Sequence, residues 1–414
     1  MLALSELERR WLSGAAGRAK QLSMQLMVSA AEATGATEFV EVTFAHINSS
    51  HYAGRVYVDF AEFLLAEGGE PTVPTFTNAS LIDCAHPEFR SSAEHPIEVE
   101  GALRLMEIYE QLGCRPMWSC APYDQPEGRP EFGQHVIGSE SNAVSFFNSV
   151  LGARTNKYGD FLDICGAIVG RVPHVGLHTD AGRRATHVFH VDVPDTTICD
   201  ESFFHVLGII LGRWSGESIP VVTGIGDASE TDLKAVAAAG ATSGSVGLFH
   251  IAGVTPEAPT VEAALHGEDP RSETFVTSEL VDAVRASLST HHDDDLSAVC
   301  LGTPHFSVGE VESLVALLNG RRIHDGVTML VTTSRAVFAE AQLRGLVQEL
   351  NDAGAGIILD TCTYYPPRAS GLDGPIMTNS AKWAYYAPGT LHLPVVFGSL
   401  ASCVESAVEG RVVR

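Results

Sequence analysis

The sequence predicts an α/β protein in which parallel sheets are covered by helices. Three observations indicate this class: apolar runs of strand length, longer stretches with helical spacing between them, and connections of only a few residues. Strands and helices that alternate in this way are typical of parallel sheets with helices packed on their faces. The chain has 414 residues, which is enough for two or three structural units.

The alternation is clearest in the second half of the chain. Strands are predicted at 219–224, 245–253, 296–302, 327–333 and 355–362, and helices at 229–240, 307–320 and 334–354. Ser229 is predicted to open its helix and Gly240 to end it, and Ser307 with Glu310 has the spacing of a capping box. In the less regular first half, a helix is predicted at 92–113.

Two polar segments follow strands of one predicted sheet. "GTPHFS" (302–307) follows one strand and "DTCTYYPP" (360–367) follows another. Ligands of parallel sheets gather at the carboxyl ends of the strands. We therefore expect the TPH segment and Cys362 at the same edge, while a Pro- and Gly-rich loop is predicted to begin at Cys120.

The charge balance limits the classes of partner. Acidic residues outnumber basic ones by 51 to 26, and the formal net charge is −25. Nucleic acids and anionic membranes are bound through clustered positive charge, so neither is expected as a partner. No apolar run has the length of a membrane span, and Glu6, Glu8, Arg9 and Arg10 interrupt the region where a signal peptide would be apolar. We therefore expect a cytoplasmic protein.

Eight cysteines are spread along the chain without a CxxC pair, so no disulfide framework is expected. Cys120 and Cys362 share a context, because each lies at a predicted strand end, beside a hydroxyl residue and shortly before a proline. Such a cysteine can be inert, a zinc ligand, or a nucleophile whose pKa is lowered by His305. Two cysteines on one rim suit an iron–sulfur cluster better, since clusters take thiolates from scattered loops.

Five motifs occur in the order "SCAPY", "GSESNAVSFFNSVLGARTNKYGDF", "GTPHFS", "ILDTCTYYPP" and "MTNSAKWAYYAPG". Together they resemble the aconitase X family of the aconitase superfamily, from about residue 40 to the end of the chain. The resemblance implies an aconitase-like catalytic region and an iron–sulfur-dependent hydro-lyase. One group of this family dehydrates cis-3-hydroxy-L-proline, and another dehydrates mevalonate 5-phosphate.

The family combines a large catalytic region with a small swivelling β-rich domain, which is fused in some members and a separate subunit in others. Residues 1–414 are assigned to the large region, with two or three α/β subdomains expected, and no swivel domain is recognised among them. In the family the proton acceptor is thought to be a serine of the swivel domain. The resemblance therefore implies a heterodimer in which a small subunit supplies the catalytic serine.

The resemblance also implies the metal ligands. Cys120 and Cys362 are expected to hold an iron–sulfur cluster, and the sequence does not distinguish 2Fe–2S, 3Fe–4S and 4Fe–4S types. The segment that reads Cys-Pro-His in the phosphomevalonate type begins with Thr303 here, so one ligand of that type is missing. Cys165, in "FLDIC", is the preferred third ligand, and Cys300 is the second choice.

Dehydration of a hydroxy-carboxylate needs a base, donors for enolate-like charge and a Lewis acid for the departing hydroxyl. Lys382, among aromatic and small residues, can hold the substrate carboxylate. Glu140, Ser141 and Asn142 precede an apolar helix, where they can cap it and present N–H groups to an anion. Lys382, Ser141 and His305 are thus the catalytic candidates.

Further residues are predicted to line the substrate pocket. By resemblance to the family's substrate loops, these are His46, Ile47, Asn48, Asn78 and Ala79. Asn156 and Tyr158, in the turn after the apolar helix, are predicted to line the same pocket.

The preferred function is the large subunit of a cis-3-hydroxy-L-proline dehydratase, whose product tautomerises to Δ1-pyrroline-2-carboxylate. The TPH segment and "YGDFLDIC" look more like this type. The second choice is the large subunit of mevalonate 5-phosphate dehydratase. The small number of Lys and Arg residues near the predicted pocket argues against this choice, because a phosphate needs positive charge. A non-catalytic metal-binding or scaffold subunit and a cysteine-nucleophile enzyme are the alternatives from other classes.

Overall fold

The computed structural model describes residues 2–86, 89–90 and 95–414. The α-helices and β-strands fall into three stretches of the chain, residues 6–173, 187–286 and 298–409. The first stretch contains α1 (Glu6–Leu12), α2 (Arg18–Thr34), β1 (Phe39–Glu41), β2 (Ala45–Ile47), α3 (Arg55–Ala66), β3 (Thr75–Thr77), α4 (Pro96–Gln111), β4 (Ile137–Gly138), α5 (Ser141–Ser149), α6 (Leu162–Val169) and β5 (Arg171–Pro173). Strands β3, β2 and β4 form a parallel sheet in that order, and β1 pairs with β5 antiparallel. Helix α4 confirms the helix predicted at 92–113, whose first residues, 92–94, lie outside the described residues.

The second stretch has a parallel sheet in the order β8-β7-β6-β9. Its elements are β6 (His187–Asp192), α7 (Asp195–Ile198), α8 (Ser202–Ser215), β7 (Pro220–Thr223), α9 (Glu230–Gly244), β8 (His250–Ile251), α10 (Val261–Ala264), β9 (Ser272–Thr277) and α11 (Ser278–Ala286). Gly240 was predicted to end a helix, but α9 continues to Gly244 and shortens the following strand. The reason is a close crossing with α8, where a Cβ on Gly244 would lie 1.8 Å from the carbonyl oxygen of Gly212.

The third stretch has a five-stranded parallel sheet in the order β12-β11-β10-β13-β14, which confirms the predicted class. Its elements are β10 (Ala298–Phe306), α12 (Val308–Leu318), β11 (Thr328–Thr333), α13 (Arg335–Leu343), α14 (Leu346–Ala353), β12 (Ala355–Ile358), β13 (Ile376–Thr378), α15 (Ala381–Thr390), β14 (Val395–Phe397) and α16 (Leu400–Glu409). Ser307 and Glu310 form the predicted capping box of α12. The helix predicted at 334–354 is interrupted at Gly345, so it forms α13 and α14.

The TPH segment is part of a strand rather than a loop. Strand β10 extends to Phe306, and its pairing with β11 changes register between Leu301 and Phe306. The regular backbone ladder between β10 and β11 is interrupted there, although every residue of the strand is buried. Thr303 and His305 therefore still lie at the carboxyl end of the sheet, where a site was expected.

The largest cluster of buried apolar residues joins all three stretches. It includes Phe146 from the first stretch, Phe203 from the second and Trp383 from the third, and it also contains Cys120 and Cys362. Burying one large apolar side chain contributes about 1.5–3 kcal/mol, so this shared core holds the three stretches against one another. None of the described helices is both long enough and apolar enough to cross a membrane.

Candidate active site

Two cysteines and one histidine from separate segments meet in the interior. The Sγ atoms of Cys120 and Cys362 lie 3.8 Å apart, and the backbone N–H of His305 donates to Sγ of Cys120 at 3.3 Å. One ring nitrogen of His305 and the two sulfur atoms all lie within 4.8 Å of one another. Each of the three residues is only 1% exposed. The parallel sheet thus brings the TPH segment and Cys362 to one edge, and the loop from the first stretch adds Cys120.

The backbone that leads into Cys362 is held by an ion pair. Asp360 has a φ of 63°, a left-handed conformation that is unfavourable for most non-glycine residues. Its buried carboxylate accepts two hydrogen bonds of 2.7 Å from the guanidinium of Arg335. Its carbonyl oxygen accepts from the backbone N–H of Ser80 at 2.6 Å. These contacts stabilise the bend that carries the chain from β12 to Cys362.

Ser119 connects two histidines of the site. Its carbonyl oxygen lies 2.9 Å from Nε2 of His46, and its Oγ lies 3.2 Å from Nδ1 of His305. Nε2 of His305 lies 2.9 Å from the carbonyl oxygen of Thr361. Because a carbonyl oxygen only accepts, both histidines carry a proton on Nε2. Nδ1 of His305 then accepts from Ser119, so His305 can act as a base only if that hydroxyl turns away.

The two thiols of the site share one proton. Burial raises the pKa of Cys120, but the hydrogen bond from Cys362 and the nearby groups of His305 and Lys382 lower it to about 6. The hydrogen bond to Cys120 and burial both raise the pKa of Cys362. The opposite shifts belong to the pair as a unit. The opposite shifts favour the thiolate form of Cys120, which is the form that binds metals and attacks electrophiles.

This set of donors fits a metal group held by thiolates. Sulfur and imidazole nitrogen are ligands that both iron–sulfur clusters and zinc accept. The distances allow all three donors to face one centre, provided that the hydroxyl of Ser119 turns away from Nδ1 of His305. Among the described residues, no third cysteine joins the set. Within the part of the chain that the structure describes, Cys120, His305 and Cys362 are thus the buried group that could hold a metal.

The prediction that Cys165 is the third ligand is corrected by the structure. Cys165 lies on α6 in a separate apolar cluster with Trp11, Met24 and Met27, where burial raises its pKa to about 12. Helix α6 packs this face against the N-terminal helices and so turns Cys165 away from the site. Cys300, the second choice, lies within β10, and burial raises its pKa to about 12 as well. Both residues belong to the core.

Lys382 forms a buried ion pair with Glu140 beside the cysteines. Its Nζ lies 2.6 Å from Oε1 of Glu140 and 3.5 Å from Oγ of Ser141. Burial lowers the pKa of Lys382 and raises that of Glu140, but in each case the attraction of the partner outweighs burial and keeps the group charged. An ammonium group has three N–H donors, so Lys382 can bind Glu140 and a substrate carboxylate together.

Glu140 caps α5 as predicted. Its Oε2 accepts from the backbone N–H of Ala143 at 2.8 Å and from Nδ2 of Asn142 at 2.9 Å. Asn142 also donates to the carbonyl oxygen of Cys120 at 2.6 Å and accepts from the hydroxyl of Tyr123. The N-terminus of α5 thus ties the ion pair to the Cys120 loop.

The two early loops lie side by side, because Nδ2 of Asn78 donates to Oδ1 of Asn48 at 2.6 Å. Within the described residues, Nδ1 of His46 and Oδ1 of Asn78 are buried without a hydrogen-bond partner. Such atoms are rare in native proteins, so a bound ligand is the natural partner for both. Burial lowers the pKa of His46 to about 4, which makes it a neutral acceptor. The side chains of Ile47 and Ala79 pack in apolar clusters, so these two residues can reach a ligand only through their backbone.

Asn156 and Tyr158 do not join this group, which corrects their predicted role. The side chain of Asn156 bonds to the backbone of Val175 at 2.9 Å and of Leu177 at 2.8 Å. The hydroxyl of Tyr158 lies 2.7 Å from Nε2 of His178. Both side chains therefore stabilise the segment 175–178.

Sequence reasoning missed Lys234, a buried lysine behind His305. Its Nζ donates to the carbonyl oxygen of His305 at 2.6 Å and pairs with Asp124 at 3.0 Å and Glu310 at 2.8 Å. The three acceptor groups come from the Cys120 loop, β10 and α12. The only sequence signal was a lysine among the apolar residues of α9.

Comparison with known proteins finds relatives that match nearly the whole chain. Family models for the first, second and third domains of aconitase X match residues 1–181, 185–286 and 296–409. A cis-3-hydroxy-L-proline dehydratase of Hypocrea jecorina is 39% identical over 414 residues, a match that covers 99% of this chain and 69% of the relative. The phosphomevalonate dehydratase large subunit of Methanothermobacter thermautotrophicus is 33% identical over 398 residues, covering 95% of this chain and 96% of the relative.

A solved structure matches the whole fold. The crystal structure of Thermococcus kodakaraensis aconitase X in its holo-form superimposes with a TM-score of 0.87 at 28% identity, covering 98% of this chain and 100% of the other. The predicted aconitase-like fold is thereby confirmed. The chain belongs to the aconitase X family, and its matched relatives are named as dehydratases, that is, hydro-lyases.

Proposed function

We propose that this chain is the large, catalytic subunit of an iron–sulfur-dependent dehydratase that converts cis-3-hydroxy-L-proline to Δ1-pyrroline-2-carboxylate. One observation carries the proposal: a buried cysteine pair lies beside a buried lysine, in a site with two unpaired polar atoms. The pair offers thiolate ligands, the lysine can bind a carboxylate, and the unpaired atoms can bind polar groups of a small substrate. The higher identity to the named cis-3-hydroxy-L-proline dehydratase supports this substrate.

The residues divide into distinct roles. Cys120 and Cys362, with His305 beside them, would hold the metal group, which supplies a Lewis acid for the departing hydroxyl. Lys382 binds the substrate carboxylate and orients it, and Ser141 lies close enough to share that contact. Nδ1 of His46 and Oδ1 of Asn78 bind the remaining polar groups of the substrate.

The base that removes the α-proton is proposed to come from a second polypeptide. Both ring nitrogens of His305 are engaged, and the low pKa of His46 makes it a weak base. Relatives named as large subunits support a small-subunit partner. We propose a swivel-domain subunit that closes over the site and brings a catalytic serine, in a cytoplasmic heterodimer.

A second candidate substrate is mevalonate 5-phosphate. The nearly complete coverage of the named phosphomevalonate dehydratase large subunit favours it. The charges of the site argue against it, because Lys234 is already paired with two carboxylates and Arg90 donates to backbone carbonyls. Lys382 alone is a weak match for a substrate that carries both a carboxylate and a phosphate.

Activity measurements on the iron-loaded chain with its small subunit distinguish the two substrates. We expect dehydration of cis-3-hydroxy-L-proline, followed through formation of Δ1-pyrroline-2-carboxylate, and no turnover of mevalonate 5-phosphate. Turnover of mevalonate 5-phosphate alone would select the second candidate. Turnover of neither substrate by an iron-containing complex would contradict both assignments.

Lys382→Ala should lower kcat/KM for the preferred substrate by about 10- to 150-fold. The expected loss is one charge-assisted hydrogen bond, worth about 1.5–3 kcal/mol. The iron content and visible spectrum should stay at wild-type levels, because Lys382 is not a ligand. Lys157→Ala is the matched control, since this lysine donates to the carbonyl oxygen of Ser245 away from the site. Wild-type kinetics in Lys382→Ala would exclude the lysine from substrate binding.

A further inference from the structure

Arg90 is a buried arginine whose hydrogen bonds all go to the segment that carries Cys362. It is 4% exposed. Its Nε donates to the carbonyl oxygen of Pro367 at 2.7 Å, and Nη1 donates to Oγ1 of Thr361 at 3.0 Å. Nη2 donates to the carbonyl oxygens of Cys362 at 2.8 Å and Tyr365 at 3.0 Å. One guanidinium therefore determines the path of residues 361–367.

The charge of Arg90 has no carboxylate partner within the described residues. Arg183, the other buried arginine among them, forms an ion pair with Glu257 at 2.5 Å. The nearby Asp83 is already an acceptor for three backbone N–H groups, those of Ala85, His86 and Leu359. A buried charge is unfavourable without a compensating anion, and the described residues around Arg90 leave no carboxylate free for that role. The cysteine pair, once it binds a metal group as thiolates, supplies that anion.

We propose that Arg90 is a positioning residue of the metal site: it bends the 361–367 segment so that Cys362 faces Cys120, and its charge stabilises the metal-bound thiolates. The proposal rests on the proposed metal site. Hydrogen-bond partners behind metal ligands commonly change metal affinity by about 10- to 100-fold when they are removed. Arg90 acts from behind Cys362, through its carbonyl oxygen, and touches neither sulfur atom.

Hydrogen exchange tests the geometry without metal. Iron-free wild type, Arg90→Met, Arg90→Lys and Arg183→Met are compared, the last as a control that removes a buried guanidinium elsewhere. We expect the amides of residues 361–365 to exchange at least about ten-fold faster in both Arg90 variants, since the four hydrogen bonds that hold this segment are lost or reduced. Arg183→Met should leave these amides at the wild-type rate.

Iron retention tests the charge. After anaerobic loading with iron and sulfide, we expect Arg90→Met to release iron to a chelator about 10- to 100-fold faster than wild type. Arg90→Lys keeps the positive charge but cannot donate to all four acceptors at once. Its rate of iron release should therefore lie between those of the wild type and Arg90→Met. Arg183→Met should release iron at the wild-type rate even if its Tm falls as far as that of Arg90→Met.

The two measurements separate this proposal from the proposed function. Unchanged exchange in both Arg90 variants, or unchanged iron release in Arg90→Met, would overturn the positioning role. If the wild type binds no iron but the exchange of residues 361–365 still depends on Arg90, the metal site is wrong, while Arg90 still positions the Cys362 segment. If Arg90→Met does not fold, Arg90→Lys against Arg183→Lys decides both measurements.

Discussion

Cys120→Ser and Cys362→Ser are each expected to lose most of the bound iron, together with the visible absorption of the anaerobically prepared wild type. Among the described residues, Cys120 and Cys362 are the two cysteines of the candidate metal site, so each variant removes one of the two expected thiolate ligands. A serine hydroxyl stays protonated near neutral pH and does not replace a thiolate in an iron–sulfur cluster. Iron and sulfide per chain and the absorption spectrum measure the loss.

Cys165→Ser and Cys300→Ser are the matched controls for that experiment. Both change a buried cysteine to serine, but neither residue belongs to the donor group of Cys120, His305 and Cys362, so both should keep wild-type iron. Full iron in Cys120→Ser and in Cys362→Ser would contradict the cluster assignment. Iron loss in Cys165→Ser, without loss of folded structure, would mean that the site rearranges on metal binding.

The chain by itself is expected to have almost no dehydratase activity, and a small swivel-domain subunit should restore it. Removal of the α-proton requires a base within hydrogen-bond reach, and the described residues of the site offer none that is free and sufficiently basic. A lid must also exclude water from the site during turnover. The purified small subunit is titrated into the iron-loaded chain while product formation is followed. Activity should reach its maximum when the two polypeptides are present in equal molar amounts.

A serine-to-alanine variant of the small subunit is the control for the base. It should bind the large chain with unchanged affinity but leave activity near background, because it removes the base without changing the interface. Full activity of the large chain alone would contradict the proposal and move the base into this chain. His46→Gln and His305→Gln would then identify it, since His46 has a free Nδ1 and His305 needs only a rotation of Ser119.

Local sequence patterns were sufficient to predict those parts of the site that are positioned by secondary structure. Alternating strands and helices predicted the parallel sheet, and the sheet then predicted that the TPH segment and Cys362 meet at one edge. The capping signals at Glu140 and Ser307 were also correct, because a cap bonds to residues only three positions away. The order of the five motifs was sufficient to predict the family.

Contacts between distant segments could not be predicted in this way. Arg90 and Cys362 are 272 positions apart, and nothing local distinguishes Arg90 from an exposed arginine. Cys165 lies in a motif of the right family, yet the packing of α6 on the N-terminal helices turns it into the core.

The sequence by itself thus determined the fold class, the family and which residues lie at the carboxyl edge of the sheet, because these follow from local periodicity and motif order. Only the tertiary structure decided which of those residues face one another and which buried charges support them. The physical reason is that burial and ion pairing depend on how three stretches of the chain share one core, and that arrangement has no local signature.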